Sequence, residues 1–431
     1  MTDISFSRDW DADARDRDAS DPLRAFRGRF YVPDGTIYLD GNSLGLLSRD
    51  AREATERVLD QWREHGVSGW TNAAPVPWFT LAESLAERVG RLVGARPGTV
   101  AVTGSTTVNL HQLLATFYDP GRTDRCRILC EALAFPSDRY AIESHLRLRG
   151  KDPDRDLALV GVGADGLLDE GEIVAAMTPD VQIAVLPSVV YTTGQLLDVE
   201  FITRAAGARG VLVAWDCSHG IGAAPHRLDD WSVDFAFWCH YKYLNAGPGS
   251  VGGLYVNRRH WGCRPGLAGW FGSRKDRQFD MATDMTPAVD AGALQIGTPH
   301  LLSLAPLDGS LRIHEEAGMV AIRTKSLALT AFLRALFVAE LSDAGFGFAT
   351  PEPDARRGGH LAVTHPDASD LSRALRAAGV VPDFRRPNIL RLAPVALYNT
   401  FADCVAVVRR LRTILESGDY RTGRPGDELV T

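Results

Sequence analysis

The chain has 431 residues, of which 45% are hydrophobic and 23% charged, and its formal net charge is −7. This composition is typical of a globular protein, and the length favours two domains. The negative charge disfavours nucleic acid or an anionic membrane as the main partner, and no apolar run approaches the roughly 20 residues of a membrane span. The acidic first twenty residues lack the apolar core of a signal peptide, so we expect a cytoplasmic protein.

The predicted elements begin after a charged segment, residues 1–20, that we expect to be loosely ordered. Residues 36–45 predict a short strand and a turn, and helical periodicity covers residues 49–65 and 81–94. Short apolar runs then alternate with helical patterns, which is typical of a mostly parallel sheet covered by helices on both faces. The predicted strands of this sheet are 99–104, 125–131, 181–187, 210–216, 233–239 and 252–257.

A smaller α+β unit follows the predicted sheet. A long helical stretch begins near Leu301, and helices near 320–341 and 401–416 flank strand-like runs at 360–365 and 388–394. We therefore expect an α/β protein with a second, smaller domain. Its expected parts are an N-terminal segment 1–45, a large domain 46–310, a small C-terminal domain 311–416 and a flexible tail 417–431.

The six cysteines are scattered along the chain without a paired framework, so we expect free thiols. Cys217, His219, Cys239 and His240 are close in sequence. They show no CxxC or HxxxH spacing, however, which structural zinc sites usually have. We therefore expect no metal site.

The stretch FWCHYKYLNAGPGS, residues 237–250, holds Lys242 between two tyrosines just after an apolar strand, where burial penalises a charged amine. Asp216 closes the run VLVAWD; alone, it is more often a turn or helix-cap residue. Both residues belong to the carboxyl edge of the predicted sheet, where ligands bind. An amine that can condense with an aldehyde and a carboxylate that can keep a pyridine nitrogen protonated together indicate pyridoxal phosphate. His219 could contact the same ring, although a lone histidine is more often structural.

Two strand-to-helix turns supply candidates for the rest of such a site. Thr106 and Thr107 begin a helix whose N–H groups and hydroxyls attract phosphate, and no GKS or GKT follows that would indicate a nucleotide P-loop. Taken alone, these threonines fit an ordinary helix cap better. The turn AFPSDRY places Phe135 where its ring could stack on a pyridine, while Ser137 or Asp138 could cap the next helix. Aromatic residues at such turns usually belong to the core.

Motifs along most of the chain resemble those of one known family. They run in collinear order from about residue 30 to 415 and are YLDGNSLG, TVNLHQLL, AFPSDRYAIESHLRLRG, TGQLLDV, the block from WDCSHGIG to VGGLYV, GWFGS and LRLAPVALYNTF. This set resembles the kynureninases. Cysteine desulfurases share the Asp, His and Lys pattern but not GNSLG, HYKYLNAGPG and GWFG together. The resemblance implies a fold type I pyridoxal-phosphate enzyme that hydrolyses the Cβ–Cγ bond of L-kynurenine or its 3-hydroxy form. The products are anthranilate or 3-hydroxyanthranilate and L-alanine, in tryptophan catabolism or NAD synthesis.

The resemblance also implies roles for individual residues. Lys242 carries the cofactor aldehyde covalently, while Tyr241 hydrogen-bonds the phosphate and is a catalytic proton donor. Arg391 binds the substrate α-carboxylate, a task suited to a guanidinium, and His65 lies near the aromatic end of the substrate. Trp270 reaches the phosphate of the neighbouring subunit, so that a homodimer shares its active sites. The other implied cofactor-binding residues are Thr106, Thr107, Phe135, Pro136, Ser137, Asp138, Asp216, His219 and Thr298.

Two positions and two alternative functions stay open. Thr298 stands where relatives often carry Asn, although threonine can still donate a hydrogen bond, and Ser188 receives no role. One alternative is another pyridoxal-phosphate reaction on the same scaffold, such as desulfuration or transamination. A desulfurase needs a mobile nucleophilic cysteine, whereas Cys404 lies in a helical pattern. The other alternative is a non-catalytic binding protein, which would typically have lost the lysine that this chain keeps.

Overall fold

Helices and strands alternate through the first two thirds of the chain in the computed structural model, which describes residues 9–422. The helices are α1 (Trp10–Ser20), α2 (Arg49–His65), α3 (Gly69–Asn72), α4 (Trp78–Leu92), α5 (Thr106–Phe117), α6 (Pro136–Leu148), α7 (Pro153–Asp156), α8 (Glu170–Ala175), α9 (Val199–Ala208), α10 (Leu301–Ala317), α11 (Met319–Glu340), α12 (Ala368–Ala377) and α13 (Phe401–Ser417). The strands are β1 (Ile37–Tyr38), β2 (Val100–Val102), β3 (Arg127–Glu131), β4 (Leu157–Val160), β5 (Val181–Pro187), β6 (Leu212–Asp216), β7 (Phe235–Cys239), β8 (Gly252–Val256), β9 (Gly347–Phe348), β10 (Leu361–Thr364), β11 (Val380–Val381), β12 (Asp383–Arg385) and β13 (Ile389–Leu392).

Seven strands form the central sheet, in the order β2-β8-β7-β6-β5-β3-β4. Strands β3 to β7 run parallel, whereas β8 is antiparallel to both β2 and β7. Side chains along β6 alternate between two apolar clusters, with Val213 and Trp215 in one and Ala214 in the other. The continuous apolar runs therefore reflect burial on both faces. The predicted mostly parallel α/β architecture is confirmed, and the edge strand β4 is an addition to it.

The C-terminal part builds a second sheet, with antiparallel strands in the order β12-β13-β10-β9. Helices α11, α12 and α13 share an apolar core with it, which includes Leu333, Leu361, Leu392 and Val407. The two strand-like runs predicted at 360–365 and 388–394 correspond to β10 and β13. This part of the chain is the α+β unit expected from its sequence.

The N-terminal segment packs on the C-terminal unit. β1 pairs in parallel with β11, so that Ile37 lies opposite Val380. The expectation that residues 1–20 are loosely ordered is wrong for α1, because Trp10 and Ala14 are buried in the core of the C-terminal unit. The Trp10 Nε1 donates a hydrogen bond to Glu340 at 2.8 Å. Residues 1–8 and most of the tail 417–431 lie outside the described residues, and the proposed domain boundaries stay a prediction.

Two negative findings apply to residues 9–422. No helix there is both long and apolar enough to cross a membrane. No group of three or more His, Cys, Asp or Glu side chains is arranged there to hold a metal ion. All six cysteines are free thiols.

Helices α2 and α10 pack with their backbones in close contact, and Gly309 is the position that permits it. A methyl group at Gly309 would overlap the backbone of Asp50 and Ala51. We expect Gly309→Ala to lower the free energy of unfolding by about 1–3 kcal/mol, because the helices must separate. Calorimetric melting would measure this. Gly207→Ala in α9 is the matched control, since its added methyl meets nothing within 4 Å. Equal melting temperatures of the two variants would contradict the prediction.

Candidate active site

Asp216 and Lys242 follow two adjacent strands and meet at the carboxyl edge of the central sheet. Asp216 is the last residue of β6 and lies opposite Phe237 of β7. β7 ends at Cys239, and the chain then turns through Lys242. This turn is held by the N-terminal segment, because the backbone N–H of Gly45 donates to the carbonyl of Tyr241 at 2.7 Å. The N-terminal segment therefore forms part of the site.

The Lys242 amine contacts His219. Its Nζ lies 2.9 Å from the Nε2 of His219 and 5.8 Å from the centre of the Phe135 ring. Burial, followed by the charges of Lys242 and Arg391, lowers the pKa of His219 well below its usual value. A neutral His219 can accept a hydrogen bond from the lysine amine through Nε2. Lys242, His219 and Phe135 lie on three separate turns. The sequence had already placed Lys242 and His219 after different strands.

The pyridine-binding candidate Asp216 sits beside a second carboxyl group. Asp216 accepts a hydrogen bond from the backbone N–H of Ser218 at 2.9 Å. Burial and then the charge of Asp216 raise the pKa of Asp138 well above its usual value. Phe135, Asp138, Tyr191 and Asp216 line one cavity. An aromatic side chain and two carboxyl groups therefore lie together on the wall of one small cavity at this edge.

Two helix N-termini come together near this cavity. α5 begins at Thr106 and α6 at Pro136, and the hydroxyls of Thr107 and Ser137 are 2.6 Å apart. N-terminal N–H groups attract anions, and the hydroxyls add donors. The structure thus joins two turns that the sequence indicated separately, the first for the phosphate and the second for the ring of the cofactor.

Arg391 is fully buried and reaches the same edge from the C-terminal unit. Its Nε forms an ion pair with Asp383, its Nη1 donates to the carbonyl of Tyr191 at 2.6 Å, and its Nη2 donates to the hydroxyl of Ser43 at 3.3 Å. The sequence did not single out Asp383, Tyr191 or Ser43. Asp383 lies opposite Arg391 in the β12–β13 pairing, a signal that becomes readable only once the register is known.

Other candidate residues lie apart from Lys242. Trp270 is 44% exposed and packs against Phe271 and Phe279, Thr298 is exposed, and His65 ends α2 half-buried. Within residues 9–422, no hydrogen bond or ring contact joins any of these three candidates to Lys242.

Tyr241 and Ser188 have local partners. The neighbouring thiol of Cys239, followed by burial, raises the pKa of Tyr241. Ser188 is buried with its hydroxyl 3.2 Å from the Nε2 of His226, and its backbone N–H donates to the carbonyl of Asp216 at 2.8 Å. Ser188 therefore supports the strand end that carries Asp216.

These side chains fit pyridoxal phosphate. Lys242 supplies the amine for its aldehyde, Asp216 the carboxylate for its pyridine nitrogen, and Phe135 an aromatic face on the same cavity. The paired hydroxyls of Thr107 and Ser137 at two helix N-termini suit its phosphate. Each functional group of the cofactor therefore has a matching protein group at this edge.

Solved structures with similar folds are pyridoxal-phosphate enzymes of other kinds. The cysteine desulfurase CsdA from Escherichia coli aligns with a TM-score of 0.76 at 20% identity, covering 92% of this chain and 98% of that chain. A cysteine desulfurase from Thermococcus onnurineus NA1 aligns with a TM-score of 0.74 at 16% identity, covering 97% of this chain and 100% of that chain. A C-DES mutant with glycine covalently linked to its pyridoxal phosphate also aligns, with a TM-score of 0.76 at 17% identity; the match covers 89% of this chain and 98% of that chain. At these identities the likeness establishes the fold alone.

Proteins found by sequence comparison are more similar to this chain than these solved structures are. Residues 322–411 match the family model of the kynureninase C-terminal domain. The kynureninase of Geobacillus thermodenitrificans (strain NG80-2) is 51% identical over 417 residues, covering 97% of this chain and 97% of that protein. The kynureninase of Bacillus anthracis is 50% identical over 413 residues, covering 96% of each. The chain belongs to the kynureninase family.

Proposed function

We propose that this enzyme hydrolyses L-kynurenine, or its 3-hydroxy form, to an anthranilate and L-alanine at the edge that holds Lys242. The observation that carries the proposal is the convergence of Lys242 and Asp216, from the large sheet, with Arg391 from the C-terminal unit. Bound there, pyridoxal phosphate supplies an aldehyde for the substrate amine and a protonated ring that accepts the electron pair from the α-carbon.

Lys242 is the residue that moves the proton at the substrate α-carbon. Its amine is held 2.9 Å from the neutral His219 rather than against a carboxylate. A neutral imidazole accepts a hydrogen bond from the amine and so orients it without adding a charge. Lys242 is thus suited both to bind the cofactor and to act as the base.

Arg391 orients the substrate by its α-carboxylate. The guanidinium is held rigidly by Asp383, Tyr191 and Ser43, which use only part of its donors. A fixed arginine can present two parallel N–H groups to a carboxylate at little further entropic cost. This contact would point the α-carbon toward Lys242.

Further roles follow for the neighbouring side chains. Tyr241 would donate a proton in the later steps and bind the phosphate, since its raised pKa keeps the hydroxyl protonated at neutral pH. Asp216 would pair with the pyridine nitrogen, with His219 beside the ring. The phosphate would lie among Thr106, Thr107 and the start of α6, and Phe135 to Asp138 would line the ring. His65 stays a prediction for the aromatic end of the substrate.

Desulfuration is a weaker alternative despite the shared fold. Cys404, which would have to be mobile and nucleophilic, is fully buried in α13, and burial raises its pKa well above the usual value. The purified enzyme with added cofactor should form fluorescent anthranilate from kynurenine and release no sulfide from cysteine. The reverse result would replace the proposed reaction.

A shared homodimeric site explains the surface position of Trp270. Phe279, which contacts the Trp270 ring, and Met281, which lines the same surface cavity, are 63% and 75% exposed. Exposed apolar groups of this size mark interaction surfaces. We therefore propose that Trp270 and Thr298 of one subunit complete the phosphate site of the other.

Lys242→Ala should abolish both turnover and covalent attachment of the cofactor. Borohydride reduction followed by peptide mass spectrometry should find the cofactor on Lys242 in the parent enzyme and on no residue of the variant. Lys151→Ala, outside the site, is the control and should behave as the parent. If the Lys242→Ala variant still turned over kynurenine, the assignment of Lys242 as the cofactor-binding residue would be wrong.

Arg391→Lys should raise KM for kynurenine by roughly 10–100-fold, because the lost charge-assisted hydrogen bonds contribute about 1.5–3 kcal/mol. The visible absorbance of the bound cofactor should stay unchanged. Arg410→Lys, which alters a half-buried arginine bonded to the Ala378 carbonyl, is the matched control. Steady-state kinetics with both variants would check this, and an unchanged KM for Arg391→Lys would show that the carboxylate binds elsewhere.

Mixing Lys242→Ala with Trp270→Ala subunits should restore activity if sites are shared. One site of a mixed dimer then carries both changes and the other carries neither. Random exchange of equal amounts should give about a quarter of the parent activity, since about half of the dimers are mixed. Differently tagged subunits would verify that mixing took place. Mixed dimers without recovered activity would place Trp270 outside the neighbour's site.

A further inference from the structure

Three ring nitrogens of two neighbouring histidines are buried at this site without a protein partner. They are the Nδ1 of His219 and both nitrogens of His360, and none has a hydrogen bond within the part of the chain that the structure describes. His360 is 0% exposed and His219 is 5% exposed. Leaving a buried donor or acceptor unpaired is energetically unfavourable. Such a cluster beside Lys242 therefore points to a function.

His360 is held in place by the junction of the two units. The backbone N–H of Gly358 donates to the carbonyl of Gly194 at 2.7 Å, and Gln195 forms a β-bridge with Arg357. A methyl group at Gly194 would lie 3.1 Å from the Nε2 of His360, so the imidazole packs directly against this glycine. The large domain thus fixes a ring that the C-terminal unit contributes.

The imidazole rings of His219 and His360 are neighbours. Their centroids are 6.1 Å apart with an angle of 64° between the planes. The outer torsion of a histidine has a broad energy minimum, so a modest rotation can bring facing nitrogens into hydrogen-bond range. Hydrogen bonds at active sites are often long before ligands bind and shorten afterwards. His360 is therefore an imidazole that such a rotation can bring to the Nδ1 of His219.

The contact with Lys242 decides which tautomer His219 needs. As an ammonium, Lys242 can only donate, so the Nε2 of His219 must accept and its proton must lie on Nδ1. The tautomer of a neutral histidine is set by the hydrogen bond of its other nitrogen. An acceptor facing Nδ1 would select the required form. Burial and nearby cations, Arg391 first, lower the pKa of His360 well below its usual value, so a neutral ring with one acceptor nitrogen is available.

We propose that His360 is a positioning residue whose ring accepts the Nδ1–H of His219 and thereby keeps the Nε2 of His219 facing Lys242. His360 acts through His219 and touches neither substrate nor cofactor. Its role in catalysis rests on the proposed function. Its role in setting the tautomer belongs to the protein alone.

The tautomer is the direct test. In full-length protein labelled with ¹⁵N-histidine and free of cofactor, two-bond ¹H–¹⁵N spectra should show His219 as the Nδ1–H form, assigned by its loss in His219→Gln. In His360→Phe the Nε2–H form should appear. A parent protein with His219 as Nε2–H would overturn the proposal without any His360 variant, as would an unchanged tautomer in a folded His360→Phe protein.

Kinetics separate positioning from a merely structural role. His360→Phe should lower kcat roughly tenfold with little change in KM, as expected for one lost hydrogen bond. His360→Gln should stay within about threefold of the parent, because its amide oxygen can accept the Nδ1–H. His145→Phe is the matched control, since His145 is also buried with an unpartnered Nε2 but packs against His111.

Two kinetic results would contradict the proposal: equal losses in the Gln and Phe variants, or an equal loss in His145→Phe. If the parent enzyme forms no anthranilate, the proposed function fails instead, and the tautomer measurement on the cofactor-free protein still decides the role of His360.

Discussion

Burial of charged groups at one edge of the central sheet is the constraint on which the site depends. Arg391 is fully buried, and removing a lone charge from water would cost several kcal/mol. The ion pair with Asp383 and the hydrogen bonds to Tyr191 and Ser43 offset that cost. Because these partners come from three parts of the chain, the arginine has one stable position. The same interactions that make its burial tolerable also fix the position of its guanidinium at this edge.

This constraint also explains why the two units form one site. The central sheet supplies Lys242 and Asp216, while the C-terminal sheet supplies Arg391 through β13. The N-terminal segment lies between them: Gly45 donates to the turn that carries Lys242, and Ser43 accepts from Arg391. A methyl group at Gly45 would overlap the Asn245 side chain and the Lys242 carbonyl, so this approach requires glycine. The segment is therefore part of the scaffold that holds Lys242 and Arg391 in place.

Much of this arrangement could be predicted from sequence, because strand ends are local features. The apolar runs located β5, β6 and β7, so Asp216 and Lys242 could be assigned to one edge before any coordinates. Asp383 could not be found this way, because its pairing with Arg391 depends on the register of β12 against β13. His360 precedes an ordinary apolar strand and resembles a core histidine in sequence. Helix α1 was missed because its few apolar residues are buried by α13, which lies at the other end of the chain.

The shared fold with cysteine desulfurases shows where reaction specificity has to lie. A backbone that aligns at a TM-score of 0.76 with 20% identity keeps the strands and their order, so the difference must come from side chains at the edge. In this chain the amine is bordered by neutral His219, and Tyr191 and Phe135 line a small cavity that also includes Asp216. Cys404, the only cysteine of the C-terminal unit, is fully buried in α13. Hydrolysis at a carbon–carbon bond needs proton transfers rather than a sulfur nucleophile, and this edge brings an amine next to an imidazole, with carboxyl groups at the same edge.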